Sequence, residues 1–307
     1  MAKPTRTRVI AVSDDAIAEA ARLVLAGEPV AVPTETVYGL AADATNAEAV
    51  ARIYVAKGRP SFNPLIVHVP DLAAAEAIGE FNAEARALAD QHWPGPLTLV
   101  VPLRRDAEIA SLVTAGLATI ALRVPAHPAV QALLKAVERP LAAPSANASG
   151  RISPTKAEHV LASLDGRIPL ILDGGLAERG IESTIVAATG GALRLLRRGP
   201  VQVDAEEIAD GIEAPGMLAS HYAPSKPLRL DASEAREGEY LIGFGAVRGD
   251  ATLSANGDPV EAAARLFDLL HIADNAPQPR IAVAPIPGDG LATAIRDRLK
   301  RAAAPRA

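Results

Sequence analysis

The chain has 307 residues, a formal charge of −5 and no cysteine. The missing cysteines exclude disulfides, thiolate zinc sites and cysteine nucleophiles. The acidic balance argues against a protein whose main work is to coat nucleic acid, while leaving room for a local basic cleft and the question of direct nucleic-acid binding open. Aromatics make up only 3% of a chain that is 49% hydrophobic, so its cores must be built from Ala, Val, Leu and Ile, and the length suits about two domains.

In chain order, the opening MAKPTRTRVIAVSDD has basic residues but no apolar run of signal-peptide length. No later stretch approaches the apolar length of a membrane span, so a cytoplasmic location without a membrane partner is the expectation. Ser13 reads as an N-cap, with Asp14 and Asp15 in the first turn favouring the helix dipole. Ile17, Ala20, Ala21, Val24 and Leu25 follow at helical spacing, and Gly27 supplies a stop. The short run Val30-Ala-Val32 reads as a strand that delivers Pro33 to Gly39 at its end. A helix is predicted over 47–56, capped by Asn46 and ending just before Lys57.

Strand-like runs recur at 65–69, 97–101, 120–124, 141–143, 170–172, 184–187 and 193–196, interleaved with helices at about 83–92, 128–138 and 155–164. Some strands alternate with helices and others follow one another directly. That mixture predicts an α/β fold on a twisted mixed sheet and not a strict doubly wound one. Nearly every motif falls at a strand end or in the loop after it, where open sheets place ligands. Pro, Gly and Ser break all periodicity over 211–227 (GIEAPGMLASHYAPSKP), which reads as a linker between a domain over 1–210 and another over 228–307. In the latter, strands at 240–242 and 281–284 and helices at 259–273 and 289–301 predict a compact βαβα-like unit.

Two short motifs carry the chemistry. In Lys57-Gly-Arg59-Pro60, the proline pushes Arg59 toward extended geometry, and an extended segment turns residues i and i+2 to one side, so both cations should face one way. Ser145 and Asn147 of Pro144-Ser-Ala-Asn147 would do likewise with a hydroxyl and an amide. Two cations beside two neutral hydrogen-bonding groups suit a triphosphate and its leaving pyrophosphate. Alone, the first motif is a solvated surface pair and the second an ordinary turn. His68 at the end of Leu-Ile-Val-His reads equally well as a satisfied buried histidine, Arg123 as a strand-end charge, Ser183 as a β-former and Tyr222 as a linker anchor.

The company they keep is an ordered set: Pro33-Thr-Glu-Thr-Val-Tyr-Gly39, KGRPSFNPLIVH over 57–68, Trp93-Pro-Gly-Pro-Leu-Thr98, Arg123-Val-Pro125, APSANASGRIS over 143–153, Asp173-Gly-Gly175, Glu182-Ser-Thr-Ile-Val186, Arg197-Arg-Gly-Pro200 and Ser220-His-Tyr-Ala-Pro224. In order and spacing this set resembles the YrdC-like family of threonylcarbamoyl-AMP synthases, in its long two-domain, Sua-type form. The resemblance spans nearly the whole chain. It implies a YrdC-like catalytic domain followed by a small Rossmann-like accessory domain. It also implies a reaction in which L-threonine, bicarbonate and ATP give threonylcarbamoyl-AMP, pyrophosphate and water, the product feeding the machinery that transfers threonylcarbamoyl to tRNA.

Carried over position by position, the resemblance places Lys57, Arg59, Ser145 and Asn147 around the reacting phosphates. It adds Asn63, Thr119, Ser153 and Arg197 as further ATP contacts, with Tyr222 reaching back over the nucleotide as part of a lid. Thr36, His68, Arg123, Ala143 and Ser183 fall in the threonine pocket, with Arg123 as a fork for the substrate carboxylate. Position 143 is a departure, since some relatives carry threonine there. Magnesium is implied only as the companion of ATP, with no tightly bound protein metal.

Two patterns mimic phosphate loops, Gly243-Phe-Gly245 and Gly288-Asp-Gly290, but each lacks the rest of a dinucleotide fingerprint and reads as a turn. There is no Walker loop. Two rivals remain: an RNA-binding factor, which would show salt-sensitive binding without turnover, and a carbamoyl-adenylate enzyme using another acceptor, whose relatives carry zinc-binding cysteines that this chain lacks.

Overall fold

The computed structural model describes residues 6–60, 62–207 and 221–305. The greater part of the expected linker, and the boundary after 210, lie outside the described residues.

Among the described residues, eleven strands form one sheet. Its spatial order is Arg8–Ala11, Leu170–Asp173, Val30–Val32, Gly39–Asp43, Leu141–Ala142, Ile66–His68, Thr119–Arg123, Leu97–Pro102, Thr184–Ala187, Arg194–Arg197 and Glu206–Glu207. Parallel and antiparallel pairings alternate irregularly across it, so the mixed sheet expected from the element order is what forms. Four parallel strands, ordered Leu228–Arg229, Arg280–Val283, Glu239–Gly243 and Ala251–Thr252, make a second, smaller sheet.

The helices arise where their local signals stand. Ser13 Oγ accepts from Ala16 N at 3.2 Å and starts Asp14–Leu25, whose buried stripe Ala16, Ile17, Ala20, Ala21 and Val24 lies on the sheet. Asn46 Oδ1 caps Ala47–Lys57 by accepting from Glu48 N and Ala49 N. Ala83–His92 and Pro128–Val137 fall where spacing predicts, whereas Ala157–Leu164 starts two residues later than expected. In the smaller unit, Pro259–Asn275 and Leu291–Ala303 cover the parallel sheet.

Two predictions need correction. Gly39–Asp43, for which the sequence reading named no strand, is one, antiparallel to Val30–Val32; every residue in it is buried, so it lacks the alternation that marks a half-buried strand. Lys57 is the last residue of its helix, not the first beyond it, and Gly58 closes that helix at φ 59° in the left-handed region. The segment from Lys57 to Arg59 is therefore not extended, and the two cations do not share a face by strand alternation.

The two units pack closely. Val37, Ile152 and Ile181 beside the large sheet share an apolar cluster with Phe267, Leu270 and Ile295 of the small unit. The His159 and His271 rings stack at 3.8 Å across the junction, and Lys156 pairs with Asp268 at 2.7 Å. At Gly180, with φ 66°, a Cβ would lie 2.4 Å from the carbonyl oxygens of both Ala263 and Ala264. Only glycine permits this approach of loop to helix. Gly180→Val is expected to destabilise the protein by about 1–3 kcal/mol through overpacking, read as a lower urea midpoint with an unchanged fold by far-UV circular dichroism.

Candidate active site

The sheet register brings the candidate residues together. Ile66–His68 and Thr119–Arg123 run parallel with His68 opposite Arg123, so both side chains leave the same end of neighbouring strands. On the other side, Val67 and His68 pair with Ala142 and Leu141, and Ala143 N donates to Ile66 O, which sets Ala143 and the following Pro144-Ser145 over the same end. Leu97 opposite Thr184 brings Ser183 to Thr98, hydroxyl to hydroxyl at 2.7 Å. The hairpin loop before Gly39 is held by Thr34 Oγ1, which donates to Val37 O at 2.6 Å and accepts from Thr36 N and Val37 N.

These elements enclose a cavity lined by Thr34, Thr36, Val37, Gly39, Arg59, Ile66, His68, Arg123, Ala143, Pro144, Ser145, Glu182, Ser183, Arg197, His221 and Tyr222. Of the residues singled out in the sequence, Thr36, Arg59, His68, Arg123, Ala143, Ser145, Ser183, Arg197 and Tyr222 line it. The other five sit outside that lining. Lys57 Nζ donates to the carbonyls of Ser145 and Asn147 at 2.5 and 2.6 Å, so it braces the Pro144–Asn147 turn from behind. Asn147 turns its amide nitrogen to Ala148 O and Arg151 O. Ser153 Oγ donates to Glu182 Oε1 at 2.5 Å. Asn63 is fully buried beside Arg59, whose Nε donates to Asn63 O. Thr119 stands at the opposite end of its strand from Arg123, about 13 Å away at extended spacing.

Every cation here is held by oxygen. Arg59 NH2 donates to Pro64 O, and Arg197 donates to Ser183 O and Ser183 Oγ. Arg123 is already paired: Nε donates to Gly95 O, NH1 to Thr36 Oγ1 at 2.9 Å, and NH2 to the Glu35 carboxylate. The fork expected to be open to a substrate carboxylate therefore keeps one N–H on each terminal nitrogen beyond these three bonds. Glu35, missed in the sequence because nothing distinguished it from a loop carboxylate, is buried and also accepts from Ala126 N at 3.1 Å. His221 and Glu182 were missed as well; their motifs were visible, but no local pattern says which members face inward.

The electrostatics follow from burial. Desolvation, with Arg123 next to it, pushes the His68 imidazole well below its ordinary value. Desolvation and then the positive charges of Arg59, Lys57, Arg197 and Arg298 do the same to His221. Both rings are neutral and can donate or accept. Desolvation, then Arg59, also pushes Lys57 down. Several buried polar atoms have no partner among the described residues: both side-chain atoms of Asn63, Asn147 Oδ1, His68 Nδ1, His221 Nδ1 and Tyr222 OH. Buried polar groups are nearly always satisfied, so a cluster of orphans beside a cationic cavity marks a place built for a polar, anionic ligand.

Comparison with known proteins shows the family to which the chain belongs. A family model described as "Telomere recombination" (Sua5_yciO_yrdC) matches residues 22–199, and one described as "Threonylcarbamoyl-AMP synthase, C-terminal domain" matches 181–304. The chain belongs to the threonylcarbamoyl-AMP synthase family, in its two-domain form. The threonylcarbamoyl-AMP synthase of Bacillus subtilis is 45% identical over 252 residues, covering 77% of this chain and 72% of the relative. That of Pyrococcus abyssi is 38% identical, covering 92% of each. A crystal structure of P. abyssi Sua5 complexed with L-threonine superposes with a TM-score of 0.88 at 34% identity, covering 97% of each chain. The E. coli YciO structure, at 20% identity and a TM-score of 0.57, shares the fold over 64% of this chain.

Glu35 yields a stability prediction. Burial raises its carboxyl, but Arg123 and the hydrogen bonds outweigh this and hold it below the ordinary 4.5. A depressed folded-state value stabilises fully above the unfolded value and is lost as pH falls through the folded one. Glu35→Ala should therefore cost about 3–5 kcal/mol near pH 7, as expected for one partner removed from a buried pair. The gap to the parent in urea unfolding should narrow below pH 4.5.

Proposed function

We propose that the protein is an L-threonylcarbamoyladenylate synthase, converting L-threonine, bicarbonate and ATP to threonylcarbamoyl-AMP, pyrophosphate and water. The observation that carries this reading is the buried cavity in which Arg59, Arg123 and Arg197 converge with the hydroxyls of Thr36, Ser145 and Ser183. Every reactant is an anion or becomes one, so the catalytic problem is to gather like charges and stabilise the charge that leaves with pyrophosphate.

On this reading the threonine amine takes up the carboxyl group of bicarbonate with loss of water. The carbamate oxygen then attacks the α-phosphorus while its bond to the bridging oxygen breaks. Thr36, His68, Arg123, Ala143 and Ser183 form the threonine side. The remaining N–H groups of Arg123 meet the substrate carboxylate, and neutral His68 offers Nδ1 as a hydrogen-bond partner. Arg59, Asn63, Ser145, Asn147, Ser153, Arg197 and Tyr222 form the nucleotide side, with Thr119 an outlying contact. Lys57 acts by fixing the turn that presents Ser145. Ala143 contributes backbone and shape only, its methyl packing beside Gly39.

Magnesium enters with the ATP phosphates as part of the substrate. The catalytic unit is taken as residues 1–210, with 211–227 as the linker that bears Tyr222 and 228–307 as the accessory unit. The product passes to tRNA threonylcarbamoyl-transfer machinery, in the cytoplasm.

The reading is tested by pyrophosphate release from ATP and magnesium. Release that requires both threonine and bicarbonate, with serine a poorer acceptor, is the expected result. Release without threonine, or none, would overturn it. In the same assay Arg59→Ala should lower kcat by about 10²–10³, as for a lost electrostatic donor, with the thermal midpoint little changed.

A further inference from the structure

Arg298 lies on the helix Leu291–Ala303 of the smaller unit and is fully buried. It reaches out of its own unit into the wall of the cavity. Its Nε donates to Glu182 Oε2 at 2.9 Å, while Glu182 Oε1 accepts from Ser153 Oγ. Its guanidinium carbon stands 5.4 Å from the centre of the Tyr222 ring, within cation–π range. NH1 donates to Asp297 at 3.1 Å, and NH2 is buried without a partner among the described residues. Glu182 and Tyr222 both line the cavity; Arg298 does not.

Stability alone does not account for this arrangement. A buried ion pair is often no better than well-packed apolar side chains, and the junction already has the partly exposed Lys156–Asp268 pair and a shared apolar cluster. What Arg298 supplies is the directly hydrogen-bonded counter-charge for Glu182, the carboxylate that faces a cavity otherwise lined by cations and neutral groups. Without it, Glu182 would lose its hydrogen-bonded partner and turn more of its negative charge on any polyphosphate brought there, and Tyr222 would lose the guanidinium over its ring.

We propose that Arg298 is a positioning residue for the nucleotide side of the cavity: it neutralises Glu182, holds it to Ser153 and seats Tyr222, so that the smaller unit controls ATP affinity. This rests on the nucleotide assignment made above. Its consequence is selective, because none of the threonine-side residues bonds to Arg298.

Calorimetric titration of the full-length protein with ATP and magnesium, and separately with L-threonine, tests it without requiring turnover. Arg298→Met is expected to weaken ATP binding by roughly tenfold or more while threonine affinity stays within about twofold. Adding Glu182→Gln to Arg298→Met should restore ATP affinity to within about threefold of the parent, since the charge left exposed is gone. Equal weakening of both ligands, or a double variant worse than either single one, overturns the proposal. Should Arg298→Met fail to fold, Arg298→Lys takes its place: the ammonium keeps the charge but not the guanidinium face over Tyr222, so weaker ATP binding with threonine affinity unchanged supports the role, and equal loss of both, or no loss of ATP affinity, overturns it. A parent protein that binds ATP yet releases no threonine-dependent pyrophosphate would defeat the functional reading alone.

Discussion

Lys57, Arg59, Arg123, Arg197 and Arg298 are each less than a tenth exposed, and taking five cations out of water is the constraint that the rest of the structure answers. Carboxylates meet some of them, Glu35 pairing with Arg123 and Glu182 with Arg298. Backbone carbonyls also solvate them, at Ser145 and Asn147 for Lys57, at Asn63 and Pro64 for Arg59, and at Ser183 for Arg197. Carbonyl dipoles solvate a cation without cancelling its charge, so the cavity stays positive and ready for an anion.

That requirement shapes the local backbone. Pro60, Pro64 and Pro144 interrupt regular pairing around them, and the carbonyls of Asn63, Pro64, Ser145 and Asn147 turn toward the cations. The hydrophobic part of the molecule serves the same end. A sheet whose core is dominated by Ala, Val, Leu and Ile holds the strand ends in fixed register, which keeps His68, Arg123, Ala143 and Ser183 in place against the mutual repulsion of the charges around them. The smaller unit closes the back of the site with Phe267 against Tyr222, at 5.6 Å between ring centres, and with Arg298 against Glu182.

The sequence was read correctly where the signal was local. Ser13 and Asn46 cap the helices they were expected to cap, because a cap is a contact between residues two or three apart. It was misread where burial hid the pattern, as in the wholly buried strand Gly39–Asp43. Pro60 was given too much weight in the Lys57-Gly-Arg59 segment, where Gly58 in the left-handed region ends the helix and redirects the chain.

Composition, the caps and the ordered motifs thus determined by themselves that this is an α/β protein with a cationic, hydroxyl-rich site and a second small unit, since each depends on residue type and short-range spacing. Only the tertiary structure decided which side chains face the cavity. Lys57 braces it from behind, Glu35 occupies one edge of Arg123, and Arg298 arrives from more than a hundred residues away to meet Glu182. These pairings depend on strand register and on the packing of one unit against another, and register between distant strands leaves no trace in the residues on either side of any one position.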